Sequence, residues 1–147
     1  MKPYYGRAKK GEKLFSKGYL MKRIYSCLMT IDIHGKKIYK LYNGSIGSKE
    51  LGEFITENKK YFINKTILMD NAPFHKSKNI KLLTEQLNMQ IIYTIPYSPE
   101  LNPIEECFSK VKHLVRKCRK VSYNSIKKAI SKLSLDNIVN YYDHAFN

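Results

Sequence analysis

ILMDNAPFHKS (67–77) and IIYTIPYSPELNPIEECFSKVK (91–112) are the two stretches whose reading decides the fold of this chain. Thr66-Ile67-Leu68-Met69 is an apolar run of the length and composition of a buried parallel strand, and it ends on Asp70. Asn102 and Pro103 mark the start of an amphipathic helix, and Glu105 falls in its first turn. Thirty-four residues separate the two acids. A carboxylate leaving a strand can meet one on a neighbouring helix, and together they can hold a divalent metal.

Working outward, the helix from Pro103 to about Cys118 is expected to bury Ile104, Phe108, Val111 and Val115. A helix over 122–133 follows (Ile126, Ala129, Ile130, Leu133), then a short one over 136–144. Between the two motifs, Ser77 is placed to cap a helix carrying Ile80, Leu83 and Leu87, and 89–95 reads as a strand. Upstream, residues 24–33 alternate, His34-Gly35 turns the chain, and 37–43 returns, which predicts a β-hairpin. Ser48 is placed to cap a helix with Leu51, Phe54 and Ile55 on one side. Residues 1–22 are basic and glycine-punctuated and read as an extended loop or irregular strand. Strand, strand, helix, strand, helix, strand and three helices make a mixed α/β pattern. No glycine-rich phosphate loop is present, which disfavours the nucleotide-binding α/β folds. The reading is one domain over 1–147, with a core over 22–118 and a helical extension over 122–147.

Lysine and arginine number 27 against 12 acids, a formal charge of +15 spread from Lys2 to Lys132. A basic face of that size suits a phosphate backbone. Three cysteines without CxxC or zinc spacing read as free thiols in a reducing compartment. The chain carries no apolar run long enough to span a membrane and no signal-peptide core, so it is expected to be soluble and intracellular, beside genomic DNA.

Each acid also has a plain structural reading. Asp70 can stabilise the turn that follows it, because Asp-Asn is good turn chemistry. Glu105, at the third helical position after Asn102, can complete a capping box. Taken alone, Glu105 reads better as a cap; paired with Asp70 inside both motifs, it reads better as a metal ligand, with Glu106 as its solvent-facing neighbour.

DNAPFH followed by PYSPELNPIEECFSKVK resembles the catalytic half of mariner-type DDE transposases and the related insertion-sequence enzymes, including the spacing of the acids. YYGRAKKGEKL and HGKKIYKLYNGS resemble the segments these enzymes carry upstream. The resemblance implies a ribonuclease-H-like, retroviral-integrase-like mixed sheet flanked by helices. It also implies metal-dependent DNA cleavage and strand transfer in DNA transposition. Three carboxylates of the family hold two Mg²⁺ or Mn²⁺ ions, one activating the nucleophile and one stabilising the leaving oxygen. Asp70 matches the second acid and Glu105 the third. Asn71, His75 and Asn102 match supporting positions, with Tyr97 and Ser98 shaping the loop below Glu105. Arg7, Lys9 and Lys10 in the lead-in, and Lys112 and Arg116 on the Glu105 face of the helix together with Ser109, are the candidate DNA contacts.

The family's first acid lies on a central strand preceding the hairpin, and nothing in this sequence matches it. Glu12 lies in the basic lead-in and Asp32 at the hairpin turn, so neither stands in. The expectation is therefore a catalytic domain lacking its first central strand, marginally stable and inactive alone. Its expected partners are DNA (transposon ends and target), a second copy, or a missing N-terminal transposase piece. The rival expectation is a basic DNA-binding relic, or an inhibitor of an intact transposase, without catalysis.

Overall fold

The computed structural model describes residues 25–96, 98–118, 120–134, 138–141 and 143. Strands β1 (Tyr25–Ile31) and β2 (Lys37–Asn43) form an antiparallel hairpin with Met29 opposite Tyr39. Gly35 takes a positive φ of 77° in its turn, a conformation with no Cβ penalty for glycine. Asp32 Oδ1 accepts from the backbone N–H of His34 (2.9 Å) and of Lys36 (2.8 Å), so this acid holds the turn.

Helix α1 (Ser48–Glu57) follows, its N-cap being Gly47 rather than the expected Ser48. Glu50 Oε2 accepts from the Gly47 N–H at 2.9 Å, so the glutamate reaching back does the capping that no glycine side chain can. Backbone N–H groups of Glu50 itself and of Gly47 hold the Glu50 carboxyl below its usual range. A short helix that periodicity did not reveal, α2 (Lys59–Phe62), packs Phe62 edge-on to Phe54 with centroids 6.0 Å apart. One turn is too short to show a 3.6-residue period.

Strands β3 (Thr66–Met69) and β4 (Gln90–Tyr93) pair in parallel, Ile67 against Ile91, with α3 (Lys78–Gln86) as the crossover. Both strands are preceded by an asparagine with positive φ, Asn64 (57°) and Asn88 (48°). Asn88 Nδ2 donates to Asn64 Oδ1 at 2.8 Å, and the Asn64 N–H donates to Leu87 O at 3.0 Å, so the two turns lock each other and set the register. β3 is half-buried rather than buried as expected, and among the described residues it pairs with β4 alone. Ser77 is the N-cap of α3, but its hydroxyl makes no capping bond and is buried without a partner among the described residues.

Helix α4 (Pro103–Arg116) starts on proline, whose missing N–H is no loss at that position. Helix α5 (Tyr123–Ser131) is capped reciprocally: Ser122 Oγ accepts from the Ser125 N–H (3.2 Å) and Ser125 Oγ from the Ser122 N–H (2.9 Å). Residues 138–141 are helical. No helix among the described residues is long and apolar enough to cross a membrane.

Two apolar layers sandwich the strands. Leu51, Phe54, Ile55, Phe62 and Ile80 pack with Leu28, Ile38, Ile67 and Ile91 on one face. Cys107, Val111, Ala129, Ile130, Leu133 and Ile138 pack with Cys27, Met29, Ile31, Tyr39 and Leu41 on the other. The Lys37 ammonium donates to Leu133 O at 2.7 Å, tying the hairpin to the end of the helical layer.

Phe62 is 1% exposed at the centre of the first layer. We expect Phe62→Ala to cost about 3–5 kcal/mol through lost burial and the residual cavity. Urea unfolding reads this as a lower midpoint at unchanged slope.

Candidate metal and phosphate site

Asp70 stands where β3 ends, half-exposed, and its Oδ1 carries two contacts. It accepts from the Ala72 N–H at 3.1 Å and lies 2.8 Å from His75 Nδ1. The same imidazole nitrogen lies 3.1 Å from the Asp70 carbonyl oxygen. Tyr93 on β4 donates its hydroxyl to His75 O at 3.3 Å, and the Phe74 ring sits edge-on to the imidazole at 4.2 Å. His75 is thus wedged in place and steadies one carboxylate oxygen, leaving Oδ2 without a protein partner among the described residues. The turn-stabilising reading of Asp70 holds for Oδ1 and leaves Oδ2 out.

Asn71 does something else. Its Nδ2 donates to Thr94 O and its Oδ1 accepts from Lys76 Nζ at 2.5 Å, so it stitches the end of β3 to the end of β4 and does not touch Asp70. Lys76 then lies over the Tyr93 ring, 4.7 Å from its centroid. Lys76 is a positioning residue that the sequence reading passed over, although it stands inside DNAPFHKS.

Glu105 is in the first turn of α4, half-buried. Its N–H donates to Asn102 O at 2.9 Å, but its carboxylate has no hydrogen-bond or ion-pair partner among the described residues. The capping box that would have occupied it is not formed, and Asn102, although the N-cap, makes no side-chain cap bond. Asn102 is 8% exposed and faces the same cavity as the acids. Glu106, expected at the solvent, is half-buried and engaged.

A single cavity of about 1210 Å³ is lined by Asp70, His75, Asn102, Glu105, Lys112 and Arg116. The structure therefore brings both acids, the histidine and two cations of α4 to one space. Ser109 is exposed and does not line it, and Asn71 does not either. Arg7, Lys9, Lys10 and Tyr97 lie outside the described residues. Among the described residues no three His, Cys, Asp or Glu side chains converge as a metal cluster. Two oxygen donors still suit Mg²⁺, which is commonly held by one or two carboxylates with waters and substrate phosphate completing the shell.

Comparison with known proteins gives the family and the fold. The family model of the DDE superfamily endonucleases matches residues 1–128. Among solved structures, the Mos1 transposase paired-end complex with its left transposon end is 18% identical, with a TM-score of 0.72 over 97% of this chain and 47% of that one. The catalytic domain of Mos1 mariner transposase, solved alone and with raltegravir and Mg or Mn, is 19% identical in the first case, with a TM-score of 0.60 over 86% of this chain and 78% of that one. A simian T-cell lymphotropic virus intasome, in complex with a PP2A regulatory subunit, is 16% identical, with a TM-score of 0.53 over 80% of this chain and 50% of that one. At these identities the likeness shows the fold: ribonuclease-H-like, of the transposase and integrase kind. The chain spans about half the length of the transposase in the paired-end complex. No curated protein matches.

All three cysteines are free: Cys107 buried, Cys27 at the cavity wall and Cys118 exposed. Burial pushes the Cys27 thiol up to about 12, and burial followed by the Glu106 charge pushes Cys107 up to about 11. We expect Cys118 alone to react fast with a thiol reagent near neutral pH, as counted by mass spectrometry. Both folded-state values are raised above the ordinary 9.0, so folding favours the neutral thiols. Their contribution to stability is complete below about pH 9 and declines between pH 9 and about 12. Urea midpoints across that window should fall less steeply for Cys107→Ala.

Proposed function

This chain belongs to the DDE superfamily of endonucleases, and on that footing we propose that it is the metal-binding part of a transposase catalytic unit acting on DNA. The observation that carries the reading is that Asp70 and Glu105 line one cavity, Asp70 with one carboxylate oxygen left over after its turn is made and Glu105 with no capping bond to occupy it. Asp70 Oδ2 and the Glu105 carboxylate would hold Mg²⁺ or Mn²⁺. When bound, the ions supply Lewis-acid stabilisation of a phosphodiester under attack and of the oxygen that leaves it. Structural neighbours of this chain include a catalytic domain solved with Mg and with Mn, which supports the choice of ion.

The remaining roles belong to side chains of this chain. His75 keeps Asp70 in one rotamer. Lys112 and Arg116, exposed at the cavity wall, neutralise the phosphates of a strand approaching the acids. Arg7, Lys9 and Lys10 extend that contact along the backbone of the DNA, which comprises transposon ends and target. The neighbours solved as paired-end and strand-transfer complexes support a homodimer on two DNA ends.

The family's chemistry uses three carboxylates, and this sequence matches two. The chain is therefore inactive in cleavage and strand transfer until a third is supplied. The charge of +15 favours one other reading, a basic DNA-binding relic or inhibitor of an intact transposase. Metal separates the two, because binding by lysine and arginine needs low salt but no divalent ion.

Three measurements test this. Mn²⁺ titrated into the purified chain should bind, and Asp70→Ala and Glu105→Gln should each weaken binding while leaving the far-UV circular dichroism unchanged. Equal Mn²⁺ affinity in all three proteins removes the metal site and leaves the basic binder. DNA affinity should fall with salt, and Lys112→Ala or Arg116→Ala should each reduce the log–log slope by about 1. Incubation of pure chain with supercoiled DNA and Mn²⁺ should give no nicking; nicking abolished by Asp70→Ala would overturn the assignment of inactivity.

A further inference from the structure

A second basic surface lies at the opposite end of β3 from Asp70. Helix α2 runs into β3 through residues 63–65: the Ile63 N–H donates to Lys59 O (2.9 Å) and the Lys65 N–H to Phe62 O (3.1 Å). The turn between β1 and β2 comes against this segment, with Lys36 Nζ 4.0 Å from the centroid of the Tyr61 ring. Lys60 Nζ lies 5.1 Å from the same centroid. The length of β3 separates Lys65 from Asp70, roughly 16 Å at about 3.3 Å per residue. These lysines are therefore remote from the acids.

Lys36, Lys59, Lys60 and Lys65 are all exposed, and none has an ion-pair partner among the described residues. The acids nearest to them in sequence are engaged elsewhere: Asp32 Oδ1 by the N–H groups of the hairpin turn, and Glu57 by Lys40 Nζ at 2.6 Å. A lysine side chain normally loses much rotamer freedom when it grips a ligand. Lys36 and Lys60 have given up part of that freedom in advance, because the negative face of an aromatic ring attracts ammonium groups. Tyr61 is itself packed against the apolar layer of Phe54, Phe62 and Ile80, which holds the ring in place. Lys127 and Lys128 on α5 are equally exposed but rest on no ring among the described residues.

We propose that Lys36, Lys60 and Tyr61, with Lys59 and Lys65 beside them, form a second surface for the phosphate backbone of duplex DNA. Two ammonium groups ordered on one ring suit a ligand whose point charges repeat closely, as they do on every nucleotide of a duplex. An acidic polypeptide carries sparser charge on flexible side chains and gains less from an ordered pair. The Tyr61 ring is taken up by the lysines, so it orders them instead of stacking on a base, and the contact is blind to base sequence. With DNA as the partner, as proposed above, the chain then has two separate contacts with it. The second depends on neither Asp70 nor Glu105.

Fluorescence anisotropy of a labelled duplex of about two helical turns, titrated with the full chain in EDTA across a salt series, tests this surface. Lys36→Gln combined with Lys60→Gln should reduce the log–log salt slope by about 2. Lys127→Gln combined with Lys128→Gln removes the same charge and should reduce the slope by less than half as much. An unchanged slope in the first pair overturns the proposal. Equal losses in the two pairs also overturn it, because net charge alone then binds. In NMR spectra of the unsubstituted chain, the duplex should shift the Tyr61 ring resonances, and polyglutamate of matching charge should leave them in place. A ring unmoved by DNA, or moved as far by polyglutamate, overturns the DNA assignment, the latter in favour of an acidic protein. The Lys112→Ala and Arg116→Ala slopes report DNA binding beside the acids independently, and no metal is present. Failure at Lys36 and Lys60 therefore leaves the DNA contact beside the acids and the Mn²⁺ titrations to be judged on their own.

Discussion

The parallel pairing of β3 with β4 is the constraint on which the rest of this structure depends. Parallel pairs have slanted bonds and no hairpin to fix their register, so the register must come from elsewhere. Here it comes from asparagines at both ends. Asn64 and Asn88, both left-handed, bond each other where the strands begin. Asn71 bonds Thr94 where they finish, and Lys76 holds Asn71. A slip of one residue would break both ends and turn Ile67 and Ile91 out of the layer formed by Phe54, Phe62 and Ile80. With the register held, Asp70 leaves the sheet at one position. The chain after β4 then leads through its prolines to α4 and Glu105.

Local needs and site chemistry compete for the same carboxylates, and the structure divides them by atom. Asp70 spends Oδ1 on the turn and on His75 and keeps Oδ2. Glu105 stands where a capping glutamate would, yet Asn102 is turned inward and no capping bond forms. A helix start stabilised by proline at its first position can forgo that bond, which is worth on the order of 1 kcal/mol. The carboxylate is left without a hydrogen-bond or ion-pair partner among the described residues. Elsewhere the acids do structural work: Glu50 at the start of α1, Asp32 in the hairpin turn, and Glu57 in an exposed pair with Lys40 at 2.6 Å.

Patterns carried by adjacent residues were legible in the sequence. The alternation of Cys27, Met29 and Ile31, the spacing of Leu51, Phe54 and Ile55, and the Asn-Pro start of α4 each led to the element found. The acids Asp70 and Glu105 were legible as a pair from their motifs. The half-buried state of β3 was not, because an apolar run looks the same whether or not its second edge is paired. Asn71 was legible as a supporting residue from its motif, but its partner was not: its amide bonds Thr94 O just past β4, 23 residues further along the chain. Gly47 replaced Ser48 as the cap because the capping interaction came from Glu50 and needed only a backbone N–H.

The sequence by itself determined the α/β alternation, the motif pair and the positive charge, because periodicity, proline placement and composition are local or summed properties. Only the tertiary structure decided which carboxylate oxygens remain without a partner among the described residues, and that Lys112 and Arg116 share one cavity with the acids. Those outcomes depend on hydrogen bonds and packing between residues far apart in the chain. Such contacts depend on the register of the strands, which the Asn64–Asn88 and Asn71–Thr94 bonds hold.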